Sequence, residues 1–481
     1  MQTKVRTERM LIGGEWVYSE STFDVCDPQD NQVLAKVPAA TEAHMLDAIS
    51  KAKLAFEAHG TWPTHDRIRV LQNVAVYLET HLERFAKTIA SEGSKTIREA
   101  RGEVRRAIQT IQISAEEARR LSGETIQFDQ HPGSENRVGY SYRFPIGVIG
   151  AITPFNDPLN LVAHKVGPAI AAGNAIVVKP ASITPLSALL LAEAFQEAGL
   201  PKGMLSVVTG SGAEIGDALI THPDVKMISF TGGLDAGESI ANRIGIKKMN
   251  MELGSNSPVI VLEDADLHVA VPACVSGAFS AVGQNCIGVQ RIYVQELVYE
   301  AFLSSFVEQA SQLIVGDKRD EYTDMGPMIH EREAKRVESW VAEAILDGAE
   351  LIHGGKRYGA FYEPTILTNV PVTSKIVNEE IFGPVVIIER VRDVQEAVEK
   401  SNQVNYGLQA GIFTGSLEAA YYAIQKLDVG GVMVNDSSDY RIDFMPFGGV
   451  KGSGLGREGV RDSIEAMTEP KVVCFQLKGL A

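Results

Sequence analysis

The spacing of apolar residues in the first part of the chain is helical. Val104, Ile108, Ile111, Ala115 and Ala118 recur at intervals of three and four positions. Such spacing places the side chains on one side of a helix. The sequence therefore predicts a helix with one apolar stripe that packs against the rest of the molecule.

Further along the chain, short apolar runs alternate with helical segments. The predicted strands are 138–152, 175–178, 205–209 and 227–230 in a first series, and 258–262, 349–352 and 385–389 in a second series that follows Glu252. Strands that alternate with helices are typical of parallel sheets covered by helices on both faces. We therefore expect two α/β domains.

Two short segments, 124–142 and 472–480, fit neither domain. They are either strands that leave the body and pair with another subunit, or plain extensions of the chain.

Composition excludes several classes of function. The net charge of -16 over 481 residues opposes binding to nucleic acids and to anionic membranes. The most apolar stretch, 162–195, is interrupted by Lys165 and Lys179, so we expect no membrane span. The four cysteines are scattered, which predicts no disulfide framework and no metal site. Without a signal-peptide pattern at the N-terminus, we expect a cytoplasmic protein.

Cys286, in the segment Gly-Gln-Asn-Cys-Ile, is a candidate nucleophile, and Glu252 is a candidate base. A thiolate attacks an electrophilic carbon, and a nearby carboxylate can then activate the water that releases the covalent product. The alternative is that Cys286 is an ordinary buried cysteine.

Glycines follow two of the predicted strands. The run 210–216 has the spacing GxGxxxG and opens a helix, as in sites where a helix N-terminus faces phosphate. It departs from the standard dinucleotide spacing and lacks the acidic residue expected further on, so the motif alone is weak. Thr231-Gly232-Gly233 forms a second tight turn that can meet a pyrophosphate.

Three other segments carry candidate groups with an ordinary structural alternative. Asn156, between two prolines, is either a rigid donor for an oxyanion hole or a turn former. Lys179 at the end of a strand either reaches a ribose or phosphate or is solvated. The glycine-dense segment 447–454 is either a nucleotide loop or a surface loop.

Taken together and in order, these motifs resemble the NAD(P)-dependent aldehyde dehydrogenase superfamily, over nearly the whole chain. Within it the chain looks most like the lactaldehyde, phosphonoaldehyde and sulfolactaldehyde dehydrogenase group. The matching motifs are Thr153-Pro154-Phe155-Asn156, Lys179-Pro180, Phe230-Thr231-Gly232, Glu252-Leu253-Gly254, Gly283-Gln284-Asn285-Cys286, Glu380-Ile381-Phe382-Gly383-Pro384 and Pro446-Phe447-Gly448-Gly449.

The resemblance implies a role for each residue of these motifs. Cys286 would be the nucleophile, Glu252 the base for hydrolysis, and Asn156 a donor of the oxyanion hole. NAD or NADP would be held by Thr153, Pro154, Phe155, Lys179, Ser182, Gly212, Gly216, Phe230, Thr231, Gly232, Leu253, Glu380 and Phe382. The substrate would be bound by Arg106, Asp157, Asn285, Arg441 and Phe447.

The resemblance also implies an α/β fold with a Rossmann-like cofactor domain, an α/β catalytic domain and a small bridging β region that makes dimers or tetramers. The corresponding ranges are 1–123 and 143–251 for the cofactor-binding domain, 124–142 for a bridging segment, 252–435 for the catalytic domain, 436–470 for an anchor loop and the return to the cofactor domain, and 471–481 for a bridging strand.

Departures from the family pattern concern specificity. Ser182 stands where NAD-selective relatives often have Glu, so the choice between NAD and NADP stays open. Gly233 replaces a usual Ser, and Asp157 replaces an aromatic residue of the substrate tunnel. Arg106 and Arg441 suit a carboxylate, phosphonate or sulfonate, although each alone is also explained as a solvated or salt-bridged side chain.

We therefore expect oxidation of a short anionic or hydroxylated aldehyde, with 3-sulfolactaldehyde as the leading candidate and lactaldehyde, succinate semialdehyde or a phosphonoaldehyde as alternatives. One rival is transfer of the acyl group to coenzyme A, which Glu252 argues against. The other is an inactive binding protein on the same fold, which the complete set of Cys286, Glu252 and Asn156 argues against.

Overall fold

The computed structural model describes residues 5–59 and 62–478. Its helices are α1 (Glu42–His59), α2 (Thr64–Thr80), α3 (Leu82–Glu92), α4 (Ile97–Arg120), α5 (Asn160–Ala172), α6 (Leu186–Glu197), α7 (Gly212–Thr221), α8 (Leu234–Ala241), α9 (Leu267–Phe279), α10 (Tyr299–Ser311), α11 (Glu331–Leu346), α12 (Lys375–Asn378), α13 (Val394–Asn402), α14 (Leu417–Lys426) and α15 (Val460–Ala466).

Within the described residues, the strands form four sheets of three or more strands and two two-stranded pairs. The strands are β1 (Arg6–Thr7), β2 (Met10–Ile12), β3 (Glu15–Val17), β4 (Thr22–Cys26), β5 (Val33–Pro38), β6 (Glu124–Ile126), β7 (Arg137–Pro145), β8 (Val148–Ile152), β9 (Ala175–Lys179), β10 (Leu205–Val207), β11 (Val225–Thr231), β12 (Lys248–Glu252), β13 (Ser257–Val261), β14 (Val289–Gln295), β15 (Glu350–His353), β16 (Arg357–Tyr358), β17 (Phe361–Tyr362), β18 (Thr365–Thr368), β19 (Val385–Val391), β20 (Tyr406–Gly407), β21 (Gln409–Phe413), β22 (Gly431–Val434), β23 (Val450–Lys451), β24 (Gly454–Leu455) and β25 (Thr468–Gln476). One of the four sheets has the order β1-β5-β4.

The helix with the predicted apolar stripe is α4. All five stripe residues are buried, as the spacing predicted. Thr96 begins the helix with a capping box, in which its hydroxyl accepts from the Glu99 N–H and the Glu99 carboxylate accepts from the Thr96 N–H. The helix packs against α2, α3 and α5 and thereby carries Glu103 and Arg106 to one wall of the active site.

The first sheet is Rossmann-like. Its order is β24-β12-β11-β8-β9-β10-β2-β3, and the strands from β12 to β10 are parallel, with an intervening helix between successive strands in the chain. From β8 the chain proceeds outward through β9 and β10, then returns to the other side of β8 with β11. The carboxyl ends of β8 and β11 therefore flank a topological switch point, where open α/β sheets bind ligands.

The second sheet has the order β15-β18-β19-β14-β13-β21-β22 and is parallel except for β15. Its apolar strands are covered by helices that include α9 and α10. The two α/β sheets agree with the predicted fold class. In the described parts of the chain, no helix combines the length and the apolar character that crossing a membrane requires.

A third, antiparallel sheet has the order β25-β7-β6. Strand β25 pairs along its whole length with β7, from Thr468 opposite Pro145 to Gln476 opposite Arg137. Strands β6 and β7 contain residues 124–126 and 137–142 of the first segment that fitted neither domain, and β25 contains residues 472–476 of the second. Strand β7 continues to Pro145, and β25 begins earlier, at Thr468. Residues 479–481 of the predicted bridging strand lie outside the described residues.

Candidate active site

The loop that carries Cys286 has an unusual backbone. After α9 ends, Ala281, Val282 and Gly283 all adopt positive φ angles of 51°, 59° and 66°. A side-chain carbon at Gly283 would lie 2.2 Å from the carbonyl oxygen of Gly383, so only glycine fits there. The close contact joins the cysteine loop to the segment that contains Glu380 and Phe382, which explains why two motifs far apart in sequence form one site.

The Cys286 side chain lies at a cavity of about 320 Å³. It packs against Ile287, Leu408 and Phe447. Burial raises the pKa of the Cys286 thiol to about 12, although the positive charge of Arg441 partly opposes the rise. In the resting enzyme the cysteine is therefore a thiol that must lose its proton before it can attack.

Asn156 lies across the cavity, directly after β8. Its side-chain amide donates one hydrogen bond of 3.1 Å to the carbonyl oxygen of Gln284, two positions before the cysteine. The same amide nitrogen has a second hydrogen to donate. Among the described residues, the Cys286 N–H donates to no protein acceptor. The two groups are thus available to an oxygen bound beside the thiol. Asn285 also lines the cavity, and its side-chain oxygen accepts from the Ile287 N–H.

Glu252 ends β12 and is 3% exposed. Neither of its carboxylate oxygens has a hydrogen-bond partner within the described residues. Burial, and then the negative charge of Glu458, raise the pKa of Glu252 well above its usual value. Gly448 leaves room for this carboxylate, since a side-chain carbon there would lie 3.0 Å from it. The raised pKa makes this carboxylate a stronger base than an ordinary glutamate.

Glu458 is the second buried carboxylate of this cluster. It accepts a 2.5 Å hydrogen bond from Lys165 and a 3.1 Å bond from Arg441. Burial opposes its ionisation, but the charges of Lys165, His164 and Arg441 hold its pKa below the usual range. Lys165 also donates to the Thr231 hydroxyl at 2.7 Å. The sequence motifs gave no indication of Glu458 or Lys165.

Several predicted cofactor residues lie together at the carboxyl ends of β9 and β10 in the first sheet. The ammonium group of Lys179 bonds only the Pro180 carbonyl oxygen among the described residues, and burial lowers its pKa to about 8. Gly212, at the beginning of α7, lies next to it, since a side-chain carbon there would be 3.8 Å from Lys179 Cε. The Ser182 hydroxyl donates to the Gly210 carbonyl oxygen at 2.7 Å.

These residues fit a dinucleotide. A buried ammonium group without a carboxylate partner, beside a helix N-terminus, suits a ribose or phosphate. The Thr153 hydroxyl at the end of β8 is also buried, with no hydrogen-bond partner in the described parts of the chain. At Gly216 a side-chain carbon would meet no atom within 4 Å, so space is open on this side of α7.

The turn after Thr231 is fixed by contacts with neighbouring parts of the chain. The Gly232 N–H donates to the Glu252 carbonyl oxygen at 3.0 Å, and a side-chain carbon at Gly232 would lie 2.6 Å from the ring of Phe230. Leu253 packs against Gly237 of α8. The hydroxyl of Thr231 faces Lys165, so the structure places it beside the base cluster as well as at the switch point.

Glu380 and Phe382 lie on the segment that contacts the cysteine loop. The Glu380 carboxylate accepts from the Ser255 N–H at 2.8 Å, and burial raises its pKa to about 7. The ring of Phe382 packs edge-to-face against that of Phe155, with centroids 5.7 Å apart. Phe155 follows Pro154 in the segment after β8, so this ring contact joins two of the segments predicted to hold the cofactor.

Arg106 and Asp157 form ion pairs at the far wall of the cavity. Arg106 donates to Asp443 at 3.0 Å and to Asp157 at 3.3 Å. Asp157 also pairs with Lys95, which in turn bonds Glu103 at 2.8 Å. Arg106 therefore takes the salt-bridged alternative, and its charge is compensated by protein carboxylates. Lys95, Glu103 and Asp443 were not predicted from sequence.

In the part of the chain that the structure describes, the positive charge of Arg441 has fewer carboxylate partners than that of Arg106. Its side chain is 7% exposed and its guanidinium group lies 3.7 Å from the centroid of the Phe447 ring. One terminal nitrogen donates to Glu458, while the buried Nε has no hydrogen-bond partner within the described residues. Arg441 lines the same cavity as Cys286. The arrangement leaves a donor available to an anionic group that enters beside the thiol.

Comparisons with known proteins identify the family. The family model described as "Aldehyde dehydrogenase family" matches residues 16–473. A 3-sulfolactaldehyde dehydrogenase of Priestia aryabhattai is 47% identical, with 99% of each chain covered. An aldehyde dehydrogenase of Physcomitrella patens in complex with succinate has a TM-score of 0.97 at 41% identity, with 100% of both chains covered. An NADP-dependent glyceraldehyde-3-phosphate dehydrogenase of Bacillus halodurans, in complex with NADP, has a TM-score of 0.96 at 39% identity, with 98% of this chain and 100% of that chain covered. The chain therefore belongs to the aldehyde dehydrogenase family, whose members are NAD(P)-dependent oxidoreductases.

Proposed function

We propose that the protein oxidises a short aldehyde with an anionic tail to its carboxylate, with NAD or NADP as oxidant. The observation that carries the proposal is one cavity that contains both the Cys286 thiol and the Arg441 guanidinium group, which pairs with one carboxylate, Glu458, among the described residues. A largely buried cation with donors left over costs free energy until a further acceptor reaches it. A carboxylate, sulfonate or phosphonate supplies that acceptor, and 3-sulfolactaldehyde is the leading candidate.

Relatives support this class of substrate. The protein from Priestia aryabhattai is named for an aldehyde that carries a sulfonate, and the structure from Physcomitrella patens contains succinate, a dicarboxylate described as its reaction product. Both names describe short chains with an anion at one end and the oxidised carbon at the other. Succinate semialdehyde, lactaldehyde and phosphonoaldehydes remain the alternatives.

The residues of the site fit covalent catalysis. The Cys286 thiolate adds to the aldehyde carbon, and the Asn156 amide and the Cys286 N–H donate to the resulting oxyanion. The nicotinamide ring, when bound, supplies the acceptor for the hydride that leaves this carbon. Cys286 then carries a thioester. Glu252 takes a proton from water, the hydroxide adds to the thioester carbon, and the carbon–sulfur bond breaks to release a carboxylate and restore the thiolate.

Glu252 distinguishes hydrolysis from acyl transfer to coenzyme A. Its two carboxylate oxygens are free of hydrogen bonds from the described residues, and its raised pKa makes it a stronger base than an ordinary glutamate. Water needs a base to remove its proton before it attacks the thioester. The thiol of coenzyme A ionises more readily than water and depends less on such a base. An inactive binding protein has no need of a buried, unpaired base, whose desolvation destabilises the fold.

Assembly into homodimers or homotetramers is part of the proposal. The third sheet exposes apolar side chains, which include Tyr140, Tyr142, Phe144, Val472 and Phe475. Exposed apolar patches of this kind mark protein–protein contacts. We assign the sheet to contact with another copy of the chain, and light scattering of the purified protein gives the number of subunits.

Steady-state assays test the proposal. Purified enzyme is supplied with 3-sulfolactaldehyde, succinate semialdehyde, lactaldehyde or pentanal, each with NAD and with NADP, and reduced nicotinamide is followed by absorbance. We expect the highest kcat/KM with an anionic aldehyde, and no stimulation by coenzyme A. A preference for pentanal over both anionic aldehydes would contradict the assignment of Arg441.

A further inference from the structure

Arg441 contacts both the substrate cavity and the buried carboxylate cluster. Its guanidinium group lies against Phe447, which packs on Cys286, and it borders the cavity where the substrate tail would lie. On its other side it donates to Glu458 at 3.1 Å. The Arg441 side chain therefore lies between the proposed site for the substrate's anionic tail and the charged groups that surround Glu252.

Arg441 and Glu252 border the same short segment: the Arg441 guanidinium group lies 3.7 Å from the Phe447 ring, and a side-chain carbon at the next residue, Gly448, would lie 3.0 Å from a Glu252 carboxylate oxygen. The charge of Arg441 therefore acts on Glu252 through a water-poor interior. Glu458 and Glu252 are 1% and 3% exposed, so little solvent screens the charges between them. Arg441 favours ionisation of Glu252, whereas burial and the neighbouring Glu458 oppose it. The charged groups that act on Glu252 are Glu458, Lys165, Arg441 and Arg457.

We propose that Arg441 couples recognition of the substrate's anionic tail to the protonation of Glu252, an inference that rests on the function proposed above. An anion bound to the free edge of the guanidinium group neutralises the charge that Glu252 otherwise feels. Glu252 then holds a proton more tightly and becomes a stronger base for the water that cleaves the thioester. An uncharged aldehyde leaves the charge of Arg441 in place. Tail recognition is thus expressed in the pH dependence of turnover as well as in affinity.

The pH profile of kcat tests this coupling, because kcat reports groups in the substrate complex. Wild-type enzyme is assayed with succinate semialdehyde and with pentanal, an uncharged aldehyde of similar length. We expect the acid limb with succinate semialdehyde to lie about one pH unit above that with pentanal, since removal of a nearby cation raises the pKa of a carboxyl group.

Two variants separate coupling from a structural role. In Arg441→Met both acid limbs should move to higher pH, because the cation is absent with either substrate, and their separation should shrink, because the anionic tail is no longer held near Glu252. Arg441→Lys keeps a positive charge and should restore a separation of the same sign. Arg461→Met removes an exposed arginine of α15, 69% exposed in its side chain, and should leave both limbs unchanged.

The outcomes are distinguishable. If Arg441→Met raises the KM for succinate semialdehyde while the two wild-type limbs already coincide, the coupling is wrong and the proposed function stands. If Arg441→Met leaves that KM unchanged, recognition of the tail by Arg441 is wrong, and the coupling is overturned with it. Should Arg441→Met fail to fold, the wild-type comparison and Arg441→Lys still decide the question.

Discussion

A side-chain carbon at Gly283 would lie 2.2 Å from the carbonyl oxygen of Gly383. The cysteine loop and the loop after Phe382 thus approach each other backbone to backbone, and the position of Cys286 depends on that approach. Two consecutive non-glycine residues with positive φ, Ala281 and Val282, show that the surrounding structure imposes this turn.

Substitution of Gly283 by Ala should disrupt the site. The methyl group has no space, so we expect the apparent free energy of unfolding in urea to fall by at least about 3 kcal/mol, with loss of activity. Gly359→Ala is the matched control. Gly359 has a similar φ of 61° but no atom within 4 Å of a side-chain carbon, so its cost should be about 1 kcal/mol. Equal losses in the two variants would mean that the contact with Gly383 does not fix the loop.

Ser182→Glu should change the choice of cofactor. Ser182 lies beside Gly210 at the carboxyl ends of β9 and β10, and a carboxylate there would repel the additional 2'-phosphate of NADP. Fluorescence titration should show a larger increase in Kd for NADP than for NAD. Ser182→Ala, which removes the hydroxyl without adding charge, serves as the control. An equal effect of Ser182→Glu on both cofactors would place Ser182 away from the ribose.

Arg441 and Arg106 should differ in their effect on substrate affinity. Arg441→Met should raise the KM for succinate semialdehyde about tenfold or more, because a charge-assisted hydrogen bond is lost. Arg106→Met should raise it less than about threefold, because Asp157 and Asp443 already occupy its donors. The KM for pentanal should remain nearly constant in both. A larger effect at Arg106 would reverse the assignment of the two arginines.

The reactivity of Cys286 without cofactor should increase with pH. Burial holds the thiol pKa near 12, so the reactive thiolate fraction grows about tenfold per pH unit between about pH 7 and pH 10. Peptide mapping after brief alkylation with iodoacetamide measures this rate at Cys286. A plateau near neutral pH would show that the resting cysteine is already a thiolate.

The sequence predicted what depends on local pattern. The buried stripe of α4 follows from its helical spacing, and β9 and β19 follow from short apolar runs. The candidate residues Cys286, Glu252 and Asn156 each belong to a compact motif. Cys286 and Asn156 line one cavity, while Glu252 lies next to Gly448, whose neighbour Phe447 packs against Cys286.

The ion pairs were not predictable from pattern. Arg106 and Asp443 are 337 positions apart, and Lys165 and Glu458 are 293 apart. Nothing in the spacing of such residues indicates a partner, because the pairing depends on how α4, α5 and the C-terminal segment meet in the folded chain. Among the residues that the structure describes, Arg106 pairs with two carboxylates and Arg441 with one, and this difference can be seen only in the folded structure.

The central claim is that an anionic aldehyde is oxidised through a thioester on Cys286, which Glu252 helps to hydrolyse. The most direct measurement uses Glu252→Gln, mixed rapidly with NAD or NADP and succinate semialdehyde, then quenched in acid and mapped by peptide mass spectrometry. We predict one burst of reduced nicotinamide per active site, a steady rate at least about a hundredfold below wild type, and a succinyl adduct on the Cys286 peptide. Glu308→Gln, at an exposed position, should behave as wild type, and Cys286→Ala should give neither burst nor adduct while it still binds the cofactor. A burst without an adduct at Cys286, or turnover by Cys286→Ala, would contradict the account.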